Sequence, residues 1–226
     1  MAAELLAEGA EDQAAQAWEE RCFLYQVFQS VFGTAPSAAQ LDVVLSDLAR
    51  ESLGAFADPD DLALLDGWAA ELAQDPQAFA ERLGSQYMRA LVGPASLPAP
   101  PWESVYTSND HLLFQEVTLN VRRAYVAQDC IPASYPHVAD DHLSLELDFM
   151  AKLAERAAQA LERGDDGEAG RLVAVQRDFL RDHLSAWIGE FAGRLSAEPA
   201  RYYASMARLA ERFVARDRRW LETFGV

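Results

Sequence analysis

A chain of 226 residues, half of them apolar, has enough material to bury a substantial core, as one large domain or two small ones. Its formal charge of −17 repels phosphate backbones and argues against nucleic acid as a partner. The charge is uneven, with 19 Asp and Glu against 4 Lys and Arg in residues 1–120; that field would orient a cationic peptide at long range, although solubility alone is the plainer reading.

The first residues, Met1-Ala2-Ala3-Glu4, are acidic and lack a basic segment, so no signal peptide is expected. Cys22 and Cys130 are isolated, which points to a reducing compartment and no disulfide framework. The charge-free stretch 22–41 is broken by Gln26, Gln29, Ser30, Thr34, Pro36, Ser37 and Gln40, so no membrane-spanning helix is expected. These features together predict a cytoplasmic protein with no stable membrane insertion.

Residues 12–32 place Trp18, Cys22, Tyr25, Phe28 and Phe32 at three- and four-residue steps, the spacing of a buried helix face. Leu41, Val44, Leu45 and Leu48 predict a second helix over 38–53. The pattern continues over 60–73 and 76–91, where Asp75-Pro76 supplies an N-cap and a first helical residue. Further helices are predicted near 109–127, 140–163, 168–197 and 199–223, the last opening on Pro199. Gly164-Asp165-Asp166-Gly167 separates two of them, and Gly189 and Gly193, one turn apart, suit close packing or a slight bend. No segment alternates with period two, so the chain reads as an all-α, single globular domain over 1–226. An irregular stretch at 128–139 marks a hinge between halves 1–127 and 140–226.

Four of the ten prolines fall between Pro94 and Pro101, where no helix can pass. The segment ends in Trp102 and Tyr106. Two readings stand: a rigid connector whose tryptophan plugs the core, or a preorganised loop that presents aromatics to a ligand. Further on, Asp140 and Asp141 read as helix caps. His142 and Glu146, four apart, would share a helix face and present a cation-binding edge. Asp140, Asp141 and His142, with His137, would be the seed of a metal-binding helical enzyme, but the spacing matches no established zinc pattern. His111 and His183 read as isolated residues on partly exposed faces. No phosphate-binding loop or nucleophile elbow is present. Arg216-Asp217-Arg218-Arg219 reads as a solvated basic face. On this basis neither enzyme activity nor a cofactor or metal is expected.

Two blocks carry a resemblance. Leu91-Val92-Gly93-Pro94 with Pro100-Pro101-Trp102-Glu103-Ser104-Val105-Tyr106 resembles the loop of the TorD/DmsD family of redox-enzyme maturation chaperones. Asp141-His142-Leu143-Ser144-Leu145-Glu146 is similar to that family's Asp-His helix start. Thr118-Leu119 and Val121-Arg122 between them also fit. The chain departs from the family at Ala90-Leu91, where a bulkier Leu-Phe is common, and at Gln128-Asp129, where a glycine is frequent.

The resemblance implies a TorD-like helical fold and a chaperone that binds the twin-arginine leader, the apo catalytic subunit of a molybdenum oxidoreductase, or both, before cofactor insertion and export. Carried over residue by residue, leader binding falls to Tyr87, Leu91, Pro101, Trp102, Glu103, Ser104, Tyr106, Asp141 and His142, with Glu103 supplying a carboxylate for arginine. It also implies a route to a homodimer by exchange across the 128–139 hinge. A helical adaptor without leader specificity is the alternative.

Overall fold

The computed structural model describes residues 2–93, 97–108, 115–132, 138–196 and 201–224. Pro94, Pro136, Pro199, His111 and His137 lie outside them. Helices account for the regular structure, and among the described residues the one β-bridge is an isolated pairing of Trp102 with His142.

Helix α1 runs over Ala2–Gly33. Where one helix was expected over 38–53, there are two, α2 (Ala38–Val44) and α3 (Asp47–Gly54). The break has a local cause. Ser46 takes extended geometry (ψ 160°) and its hydroxyl accepts the Ala49 amide, so it starts a new helix where periodicity alone continues the old one. Helix α4 (Pro59–Gln74) follows. Helix α5 (Pro76–Tyr87) opens as expected, with the Asp75 carboxylate accepting the Ala78 amide at 3.0 Å. It ends in a π-helical turn over Met88–Val92, closed by the Gly93 amide on the Met88 carbonyl. Gly93 has φ 89°, a conformation that favours glycine.

The short α6 (Ser104–Thr107) and α7 (Glu116–Ala127) come next. Beyond α7, Asp129 turns left-handed at φ 54°, and the Cys130 amide reaches back to the Tyr125 carbonyl at 2.9 Å. That is the helix-ending position glycine usually fills, and aspartate is among the few side chains that tolerate it.

Helix α8 (Leu143–Glu162) is the centre of the molecule. Leu143, Leu147, Met150, Ala154 and Ala157 form one stripe with no exposed surface, and α8 packs along α1 and against α9 (Asp166–Phe179). Helix α9 passes through a second π-helical turn at Leu180–Leu184 into α10 (Ser185–Ser196), which packs on α11 (Arg201–Leu221). A Cβ on Gly189 would stand 3.1 Å from Glu211 Oε1 of α11, so the glycine serves close packing, whereas Gly193 meets nothing.

Helix α11 is also where the uneven charge is balanced. Buried Asp61 of α4 receives Arg208 and Arg212, and Asp58 receives Arg212. The basic run at 216–219 is not wholly a solvated face. Asp217 is buried and holds Arg21 of α1, because one face of α11 must turn inward whatever its charge.

Candidate functional site

Two segments far apart in sequence are laced together at the start of α8. The Leu143 amide donates to the Pro101 carbonyl at 2.9 Å, and the Glu103 amide donates to the Asp141 carbonyl at 3.0 Å. The Asp141 carboxylate accepts the Ser104 amide at 2.9 Å. The proline-rich loop and the Asp-His segment therefore form one unit, with side chains leaving it on two sides.

On the outer side, the Trp102 and His142 rings meet edge to face at 5.2 Å. They border an open groove of about 470 Å³. Tyr87, Leu91 and Val92 from the end of α5, together with Val138 and Leu145, complete its apolar walls, and Gln29, Ser144 and Asp148 are its other polar members. Helices α1 and α8 approach closely here, since a Cβ on Gly33 would lie 3.1 Å from Ser144 Cβ.

The inner side is a buried acidic cluster. Glu103, Asp141 and Glu146 are all within 2% of full burial. Glu103 Oε2 lies 2.9 Å from His183 Nδ1, and Glu146 accepts the Trp187 indole N–H at 3.2 Å. Tyr106 stacks on Trp187 at 5.3 Å, and Ser104 is fully buried. Burial raises the Glu103 carboxyl against the opposing pull of His183. Burial, with Glu103 and Asp141 nearby, raises Glu146 well above the carboxylate range.

Several sequence expectations change here. Neither Asp140 nor Asp141 caps α8; His142 does, its Nδ1 accepting the Ser144 amide at 3.2 Å. Asp140 instead binds Arg122, with Nε at 2.8 Å. Asp141 caps α6 from across the fold. His142 therefore sits ahead of the helix and does not share a face with Glu146. Burial lowers its pKa to about 4, so the ring is neutral. Asp140, Asp141 and His142 each point to a different partner. Glu103, expected to meet an arginine, points inward. Of the expected residues, Tyr87, Leu91, Trp102 and His142 line the groove, while Pro101, Glu103, Ser104, Tyr106 and Asp141 build its support. His183 is not isolated; it anchors the loop from a π-helical turn, a feature often found at functional sites. Eighty residues separate it from Glu103, and no local spacing announces the pair.

The support can be tested directly. Asp141→Ala should cost about 1–3 kcal/mol, because the buried Ser104 amide loses its acceptor. Asp141→Asn keeps an oxygen there and should cost less. Thermal unfolding of both variants measures this, and wild-type melting of the alanine variant would show the contact to be dispensable.

Comparison with known proteins agrees with the two blocks. The family model described as nitrate reductase delta subunit matches residues 56–193. The chain belongs to that family, among redox-enzyme maturation chaperones of the TorD/DmsD kind. The chaperone protein TorD of Vibrio cholerae serotype O1 is 28% identical over 210 residues, which cover 90% of this chain and 93% of that one. The "Probable Tat proofreading chaperone DmsD" of Haemophilus influenzae is 28% identical over 130 residues, and the match spans 57% of each chain. The selenate reductase assembly chaperone of Thauera selenatis is 45% identical over 62 residues, covering 27% of this chain and 31% of its own. A crystal structure of an Archaeoglobus fulgidus protein assigned to redox enzyme maturation shares the fold, with a TM-score of 0.50 and 19% identity over 86% of this chain and 93% of that one.

Proposed function

We propose that the chain is a chaperone for a molybdenum oxidoreductase precursor and that the groove beside Trp102 and His142 receives the precursor's twin-arginine leader before cofactor insertion and export. It makes and breaks no bond. The reading rests chiefly on one observation: the two blocks that resemble the family converge, and together they border an open groove with aromatic and aliphatic walls. A leader offers arginines followed by an apolar stretch. The walls suit the apolar stretch, and the loop is already pinned by the Leu143, Glu103 and Ser104 amides, so little ordering remains to be done on binding. The kinship with a protein named as a Tat proofreading chaperone supports the same occupant.

Trp102→Ala should weaken leader binding by about 2 kcal/mol or more, the range of a truncated aromatic anchor. Its ring is only partly buried, so the melting temperature should fall far less than the affinity. Calorimetric titration of a leader peptide into wild type and variant decides the matter. Equal affinities would send the leader elsewhere and return Trp102 to the role of a core plug.

A further inference from the structure

We infer that Asp148, rather than the buried carboxylates behind the groove, reads an arginine of the bound leader, and that Lys152 is the internal cation the arginine displaces. The inference rests on the groove reading above and adds the residue that gives it charge specificity.

Among the described residues lining the groove, Asp148 is the one carboxylate. Its side chain is 36% exposed. Glu103 and Asp141, which the family resemblance would use, are 2% and 0% exposed and already committed to His183 and to the Ser104 amide. Neither can meet a guanidinium without the loop coming apart. The start of α8 does not turn the groove toward anions either. The Leu143 amide is spent on Pro101, that of Ser144 on the His142 ring, and that of Leu145 on the His142 carbonyl. His142 is neutral and adds no repulsion toward a cation.

Asp148 is held by Lys152 one turn along, with Nζ 2.5 Å from Oδ2. Lys152 is the chain's single lysine, and its side chain is 46% exposed. An exposed pair four residues apart is weak and easily exchanged. An ammonium meets a carboxylate as a point charge. A guanidinium presents two parallel N–H groups that match both oxygens, so it is the better partner once the ligand's apolar segment has brought it near. Lys152 thus keeps Asp148 paired in the free chaperone and yields to arginine.

The test uses the full chain and two synthetic peptides, one with adjacent arginines before an apolar run and one with glutamines in their place. Asp148→Asn should weaken the arginine peptide about fivefold and leave the glutamine peptide unchanged. Lys152→Met should tighten the arginine peptide about threefold, since the competing cation is gone. Both positions are on the surface, so circular dichroism should match wild type. If Asp148→Asn binds the arginine peptide as wild type does while Trp102→Ala still weakens it, the Asp148 assignment is overturned and the groove stands. If neither substitution matters, the groove reading itself falls. A weaker arginine peptide on Lys152→Met would overturn the displacement.

Discussion

Asp217→Ala should destabilise the protein by about 3–5 kcal/mol, the cost of stranding a buried charge. The stranded charge is Arg21, 5% exposed, with its guanidinium 4.5 Å from the Trp18 ring and 4.7 Å from the Trp220 ring. Arg21 Nε is paired with Asp217, and its Nη2 donates to Asp217 Oδ2 at 3.0 Å and to Gln176 at 2.7 Å. The Tyr25 hydroxyl also donates to Asp217, at 2.6 Å. Without the carboxylate, the guanidinium keeps one neutral acceptor, and Tyr25 loses the acceptor of its hydroxyl bond. The damage spreads over three helices, because α1, α9 and α11 meet at this point. Asp217→Asn, which keeps an acceptor of similar shape, should lose less. Urea unfolding measures both. A loss under about 1 kcal/mol for the alanine variant would mean that water or rearrangement satisfies Arg21, as at an exposed pair.

The second large effect is a pH dependence centred on Glu146. In the folded chain burial keeps this carboxyl protonated well above the ordinary range, and the neighbouring Glu103 and Asp141 act in the same direction. In the unfolded chain it ionises near the ordinary value of about 4.3. The folded state therefore holds a proton that the unfolded state has lost. The stability this contributes is complete below the unfolded value and drains away as pH rises through the raised folded one. Glu103 has the same sign. His142 has the opposite sign: with its pKa lowered to about 4, it withdraws stability as pH falls from the unfolded value of about 6.5 toward 4.

Glu146→Gln separates these contributions. The amide keeps an oxygen for the Trp187 indole and an N–H for Glu103, and it has no proton to lose. The variant should be more stable than wild type at pH 8, and the gain should shrink steadily toward pH 5. Subtracting the two curves cancels His142. Glu146→Ala should go the other way, losing about 2–4 kcal/mol through the cavity and the unpaired indole N–H. Thermal unfolding across that pH range is the measurement, and a constant difference between wild type and the glutamine variant would show that folding leaves the Glu146 pKa unchanged.

Much of the helical framework was legible in the order of residues. The apolar stripe of α8 follows from a period of 3.6, which depends only on neighbours three and four apart. The Asp75-Pro76 start of α5 is a local hydrogen bond and a local dihedral preference. The Trp102 and His142 blocks were legible as a pair by resemblance, and the fold brings them into contact. What spacing could not show is the direction in which each charged side chain leaves its backbone. Asp141 reads as a cap for the helix it precedes, yet its carboxylate serves Ser104, 37 residues earlier. Glu103 lies beside Trp102 in sequence but turns away from the groove to His183. Asp148 passed without notice because one acid on a helix is ordinary until a groove opens beside it. The sequence by itself thus determined most of the helices, the main buried faces and the family, which rest on short-range periodicity and contiguous motifs, but not the break at Ser46, which leaves Leu48 of the expected apolar face exposed. Only the tertiary structure decided which carboxylates are buried and which one borders the groove, because that choice depends on partners up to 196 residues apart and on the packing that brings them together.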